Sequence, residues 1–128
     1  MSDLNTIPAG TGRLIAGAKV AGTPVYSLAG EKLGSVEDVM IDKQSGHIAY
    51  AVLSFGGFLG VGERHHPMPW AALHYDTEMG GYVVNLDRAT LEGAPAYADD
   101  EAIHWDDTVW GKRVHDFYSV PPYWMAAP

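Results

Sequence analysis

No cysteine occurs among the 128 residues of the chain. That excludes a disulfide framework, a thiolate nucleophile and a thiolate metal site, and it fits a reducing compartment. Bases are scarce too: eight Lys and Arg stand against sixteen Asp and Glu, for a formal charge of −8. Such a chain repels phosphates, and its few bases are spread along the sequence, so neither nucleic acid nor an anionic membrane surface is an expected partner. No apolar run approaches the roughly 20 residues that span a bilayer. The opening MSDLNTIPAGTGRL carries no basic segment followed by a long apolar one. The expectation is a soluble cytoplasmic protein without membrane insertion. No internal repeat of fixed period and no low-complexity tract is visible.

What is present is a globular composition, 47% apolar, on a length that supports one ordinary core. Residues 1–13 are small and polar with Gly and Pro, the composition of a flexible terminus. From Val20 onward short apolar runs alternate with turn signals: VYSL, AGEKLG, SVEDVMID, KQSG, HIAYAVLSF. This is the rhythm of strands joined by hairpins. In HIAYAVLSF, Ile48, Tyr50 and Val52 share one face and Ala49, Ala51, Leu53 and Phe55 the other, so the strand is expected to be central and covered twice. In SVEDVMID, Val36 falls on one parity and Val39 and Ile41 on the other, which requires a bulge near Glu37 and Asp38. Pro67 and Pro69 delete alternate N–H groups and blunt one strand edge. The last strand expected is Tyr82 to Leu86, after which DRATLEGAPAYADDEAIHWDD reads as acidic loop. In DDTVWGKRVHDFYS, Asp106 or Asp107 caps a short helix with Trp110, Val114 and Phe117 along one stripe, and VPPYW stops it. The organisation expected is a flexible terminus at 1–13, a barrel at 14–87 and an extension at 88–128 that packs on the barrel or on a partner.

The stretch GGFLGVGERHHPMPW, residues 56 to 70, crowds four glycines, two histidines and two prolines together. Gly57 and Gly62 have phosphate-loop spacing, yet Glu63 and Arg64 stand where Lys and Ser or Thr are needed. A dinucleotide fingerprint fails as well, at His65 and at the prolines that forbid a following helix. On a strand His65 and His66 point to opposite faces and do not share one ion, and His47, His74, His104 and His115 are scattered, so the pair reads as exposed or hydrogen-bonded strand histidines. None of Ser27, Ser35, Ser45, Ser54 and Ser119 lies in a nucleophile-elbow context. Glu37, Asp38 and Asp42 read as a solvated face. No catalytic residue, cofactor or metal is expected. The stretch reads as a long hairpin that carries Phe58 and Leu59 at its tip and ends at Trp70.

Residues 22 to 73, GTPVYSLAGEKLGSVEDVMIDKQSGHIAYAVLSFGGFLGVGERHHPMPWAAL, resemble a PRC-barrel domain. The matching elements are GxxVY followed by GExLG, the VEDVMID and SGHIAYAVLS strands, the GGFLGVGE connection and the closing PW. This fold is shared by the reaction-centre H subunit and a ribosome maturation factor. WGKRVHDFYSVPPYW resembles a tail on some stand-alone bacterial members, so the likeness spans roughly residues 12 to 124. It implies a mainly β fold, a barrel of about five or six antiparallel strands with a short helical tail, used for binding and assembly without common catalytic residues. The chain lacks the transmembrane helix of the reaction-centre subunit and the RNA-maturation domain of the ribosome factor, so an accessory role like either is an alternative only. A small-ligand or metal-binding barrel is a weaker one. The expected function is a non-catalytic protein-binding module, homo-oligomeric with a dimer favoured, whose partner the sequence does not name. Its expected protein-binding residues are Phe58, Leu59, Trp70, Trp110, Phe117, Tyr123 and Trp124, because most large aromatics lie beyond the strands and aromatics anchor contacts.

Overall fold

A computed structural model describes residues 13–55, 64–98 and 105–125. A single helical turn, α1 (Gly17–Val20), buries Val20 and leads into β1 (Pro24–Ser27) and β2 (Lys32–Ile41). The turn after β2 closes because the Asp42 carboxylate accepts from the Gln44 and Ser45 amides while Gly46 adopts φ 80°, a conformation that side chains disfavour. β3 (Ile48–Phe55) and β4 (Arg64–Pro69) follow, then a 3-10 turn at Trp70–Ala72, and the short β5 (His74–Asp76) and β6 (Gly81–Val84). Two helices, α2 (Arg88–Glu92) and α3 (Thr108–Tyr118), and a 3-10 turn at Tyr123–Met125 complete the order.

The six strands form one sheet in the order β4-β3-β2-β1-β6-β5. The sequence led us to expect antiparallel strands throughout, but the sheet is mixed: β6 runs parallel to β1, pairing Val25 with Tyr82 and Ser27 with Val84. β2 occupies one edge of β1, and the β5–β6 hairpin fills the other in the direction set by its approach from β4. Among the described residues the end strands β4 and β5 are not bonded to each other, so the hydrogen-bond ladder stays open. The sheet nevertheless curls far enough for Trp70, just past β4, to pack on Tyr82 of β6 with ring centroids 5.3 Å apart. Inside the curl lies one continuous apolar core that includes Val25, Leu33, Val36, Leu53, Met68, Val84 and Leu91.

The expected irregularities are present and do work. The β2–β3 register slips between Val36 and Asp38, leaving Glu37 as the extra residue of a bulge. On β4, the N–H groups that face away from β3 fall on residues 65, 67 and 69. His65 exchanges both backbone bonds with Tyr97, at 2.9 Å each way, and prolines at the other two positions end the pairing. One expected loop is partly helical: Asp87 accepts from the Thr90 amide at 2.8 Å and caps α2, a five-residue helix too short to show periodicity.

Gly34 lies where β2 and β3 approach closely. A Cβ there would run into the carbonyl oxygen of Ser54 on the neighbouring strand, a backbone atom that cannot swing aside. Gly34→Ala is therefore expected to cost about 2–4 kcal/mol in urea denaturation, well above an ordinary Gly-to-Ala change in a strand; a loss under about 0.5 kcal/mol would show that the β2–β3 contact is looser than described.

Candidate functional site

The second face of β3 carries a cluster of aromatic side chains. Tyr50 projects from it and is met by three rings of the C-terminal segment: Trp105 at 5.6 Å, His115 at 5.3 Å and Tyr123 at 5.6 Å between centroids. The Tyr50 hydroxyl and His115 Nε2 form a buried hydrogen bond of 3.2 Å. Burial first, and Tyr123 second, push the Tyr50 phenol up to about 12.

Local sequence explains how α3 reaches this face. Asp107 accepts from the Val109 and Trp110 amides and starts the helix. Gly111 lets it come close: a Cβ there would lie 3.0 Å from the Trp124 ring and 3.1 Å from the Tyr50 hydroxyl. Ser119 ends the helix in the left-handed conformation, φ 57°, and the Val120 amide donates to the His115 carbonyl. The turn sends Tyr123 and Trp124 back over His115, whose ring lies 6.1 and 5.6 Å from theirs. The buried stripe is thus Gly111, Val114, His115 and Tyr118. The expected Trp110–Val114–Phe117 stripe is off by roughly a quarter turn. Trp110 and Phe117 flank the contact and are only half-buried.

The adjacent histidines do point to opposite faces, but neither is exposed. His65 Nδ1 donates to the Glu37 carboxylate at 2.6 Å, a reach that the β2 bulge makes possible across short Ser54, and its ring lies 5.1 Å from that of Tyr97. His66 enters the core, 5.4 Å from the Phe55 ring, and its Nδ1 has no hydrogen-bond partner among the described residues. Burial first, then the Arg64 and His65 charges, drive His66 down to about 4. Burial likewise lowers His115, against weaker opposing pulls from the Val120 and Pro121 backbone and Asp116, and His115 Nδ1 has no side-chain or backbone hydrogen bond of good geometry among the described residues. The Tyr118 hydroxyl is buried without a hydrogen-bond partner among the described residues and is raised by that burial alone. Among the described residues no group of three or more His, Cys, Asp or Glu is arranged to hold a metal ion, and no helix is long and apolar enough to cross a membrane.

Of the residues singled out in the sequence, the structure brings Tyr123 and Trp124 together around Tyr50 and His115, and Trp110 lies one ring further out, 6.1 Å from Trp105. Phe117 sits at the edge of that group against Tyr118. Trp70 lies apart, at the mouth of the curl against Tyr82. Phe58 and Leu59 lie outside the described residues. Sequence reasoning missed Tyr50, His115 and Gly111; the signal was the 111, 114, 115, 118 spacing, hidden because a glycine and a histidine do not read as core. Two open clefts flank α3. One, about 450 Å³, is lined by Val109, Lys112, Pro122 and Trp124 among others. The other, about 500 Å³, runs between Arg64, the segment after α2, and Arg113 and Phe117.

The family model of the PRC-barrel domain matches residues 13–101, and the chain belongs to that family. The match ends before α3, so the helix and the aromatic segment after it lie beyond the matched domain. Comparison with curated proteins gave no match.

The buried imidazole makes stability depend on acid. His66 titrates near 4 when folded and near the ordinary 6.5 when unfolded. The unfolded chain therefore takes up the proton first, and stability is intact above about pH 6.5 and lost as pH falls towards 4. His66 alone is expected to remove about 2 kcal/mol between pH 7.5 and 5 and about 3 kcal/mol by pH 4. Urea titrations of wild type and His66→Leu across that range check this: the variant should lose that much less, and parallel pH profiles would contradict it.

Proposed function

We propose that this PRC-barrel protein is a non-catalytic protein-binding and assembly module, that it acts in the cytoplasm, and that it self-associates as a dimer. The observation that carries the reading is the outward face of the C-terminal segment. Val109 is 74% exposed on the first turn of α3 and Trp124 is 39% exposed after it, and both line one groove with Pro122. A single exposed apolar residue is ordinary; two large ones on the same groove, beside a helix already anchored by its other side, mark a contact surface.

The chemistry of the rest supports a binding role. The side chains with the largest titration shifts, Tyr50, His66 and Tyr118, are packed into the core rather than presented to a cleft. Catalysis needs such groups within reach of a substrate. The interior of the curl is filled by its own side chains, which disfavours a carried small ligand.

Sedimentation velocity of the full chain at about 10 µM tests the reading. Wild type is expected to sediment as a dimer. Val109→Asp should shift it to monomer with unchanged stability, because a charge costs several kcal/mol inside an interface and about nothing on a solvated helix turn. A wild type that stays monomeric, or a variant that stays dimeric, overturns self-association through this groove.

A further inference from the structure

Two cations converge where this acidic chain has little positive charge to place. Arg64 opens β4 and Arg113 lies on α3, and they line the same cleft with Pro95, Ala96, Asp116 and Phe117. Asp116, the carboxylate among the described lining residues, is shared with Lys112, whose Nζ donates to it at 2.8 Å. Arg88 is held by Glu31 at 3.1 Å on another part of the surface. Neither Arg64 nor Arg113 has a carboxylate partner among the described residues. In a chain of net charge −8, the described residues of this cleft thus place two guanidinium groups against one carboxylate, beside an apolar floor.

We propose that this cleft binds an acidic peptide segment of a partner protein, with two carboxylates on Arg64 and Arg113 and one apolar side chain on the floor between them. This deepens the module reading and rests on it. Guanidinium groups match carboxylates in planar, two-bond geometry. The floor of Pro95, Ala96 and the half-buried Phe117 removes apolar surface from water at the same step. The cleft's volume of about 500 Å³ lies in the range of ligand clefts, about 300–1,000 Å³. A nucleic acid is the poorer fit, because it needs a track of cations along its backbone and meets only two here in an otherwise repelling field.

Fluorescence anisotropy with the full chain and a fluorescein-labelled pentapeptide, DFELD, tests the proposal, with the uncharged NFQLN as comparison. DFELD is expected to bind saturably and NFQLN at least about tenfold more weakly. Arg64→Gln and Arg113→Gln should each weaken DFELD about tenfold, whereas Lys43→Gln, which removes the same charge from the β2–β3 turn, should change it less than about twofold. No saturable binding of DFELD, equal binding of NFQLN, equal loss in all three variants, or displacement of DFELD by a lower concentration of oligouridylate would each overturn the proposal. Dimer formation through Val109 is read separately by sedimentation, so a failed cleft with an intact dimer sinks the cleft alone, and loss of both sinks the module reading with it.

Discussion

A β-strand with apolar side chains on both faces cannot be stable with only one face covered, and β3 is such a strand. Its alternate residues Ala49, Ala51, Leu53 and Phe55 close the inside of the curled sheet, while Tyr50 and Val52 on the other face are equally hidden from water. Among the described residues no second layer of strands covers that face. The C-terminal segment supplies one instead, and the sequence of that segment makes sense as a response: an Asp107 cap to start the helix where it is needed, Gly111 to let it approach, and Ser119 to turn the chain back so that Tyr123 completes the cover. Burying rings of this size contributes on the order of 2 kcal/mol each, which matters for a domain of this length.

The same crowding accounts for the histidines. Three imidazoles, His65, His66 and His115, are almost wholly buried in a chain that has six histidines. Each sits where a strand or helix must be covered and where its neighbour is an aromatic ring. His65 is matched with Glu37 and His115 with Tyr50, but one nitrogen of His66 and one of His115 are left without hydrogen bonds among the described residues, and such groups cost free energy that the packing around them must offset. The site is therefore strong in packing and sensitive to acid.

Much of the fold was legible because it is local. The bulge at Glu37 shows as a parity slip between Val36 and Val39; the blunt edge shows as Pro67 and Pro69 two residues apart; the Asp107 cap shows as an acid before a helical run. What was not legible is what depends on partners distant in sequence. The parallel pairing of β1 with β6 is decided by which edge remains open after β2 has paired, and no residue of PVYS or GYVV encodes it alone. The rotation of α3 was misread because Trp110 and Phe117 carry more apolar surface than Gly111 and His115, yet the helix faces the sheet with the residues that fit against Tyr50. The burial of His65 and His66 depends on Tyr97 and Phe55, neither adjacent in sequence.

The central claim is that the segment after residue 104 covers the second face of β3 within its own chain. An isotope-filtered NOE experiment on an equal mixture of labelled and unlabelled protein tests it most directly. The rings of Tyr50 and Tyr123, 5.6 Å apart between centroids, should give a cross-peak in uniformly labelled protein and none in the filtered spectrum of the mixture. A cross-peak in the filtered spectrum would show that the cover comes from a second copy, and its absence from both would show that the face is not covered by this segment at all.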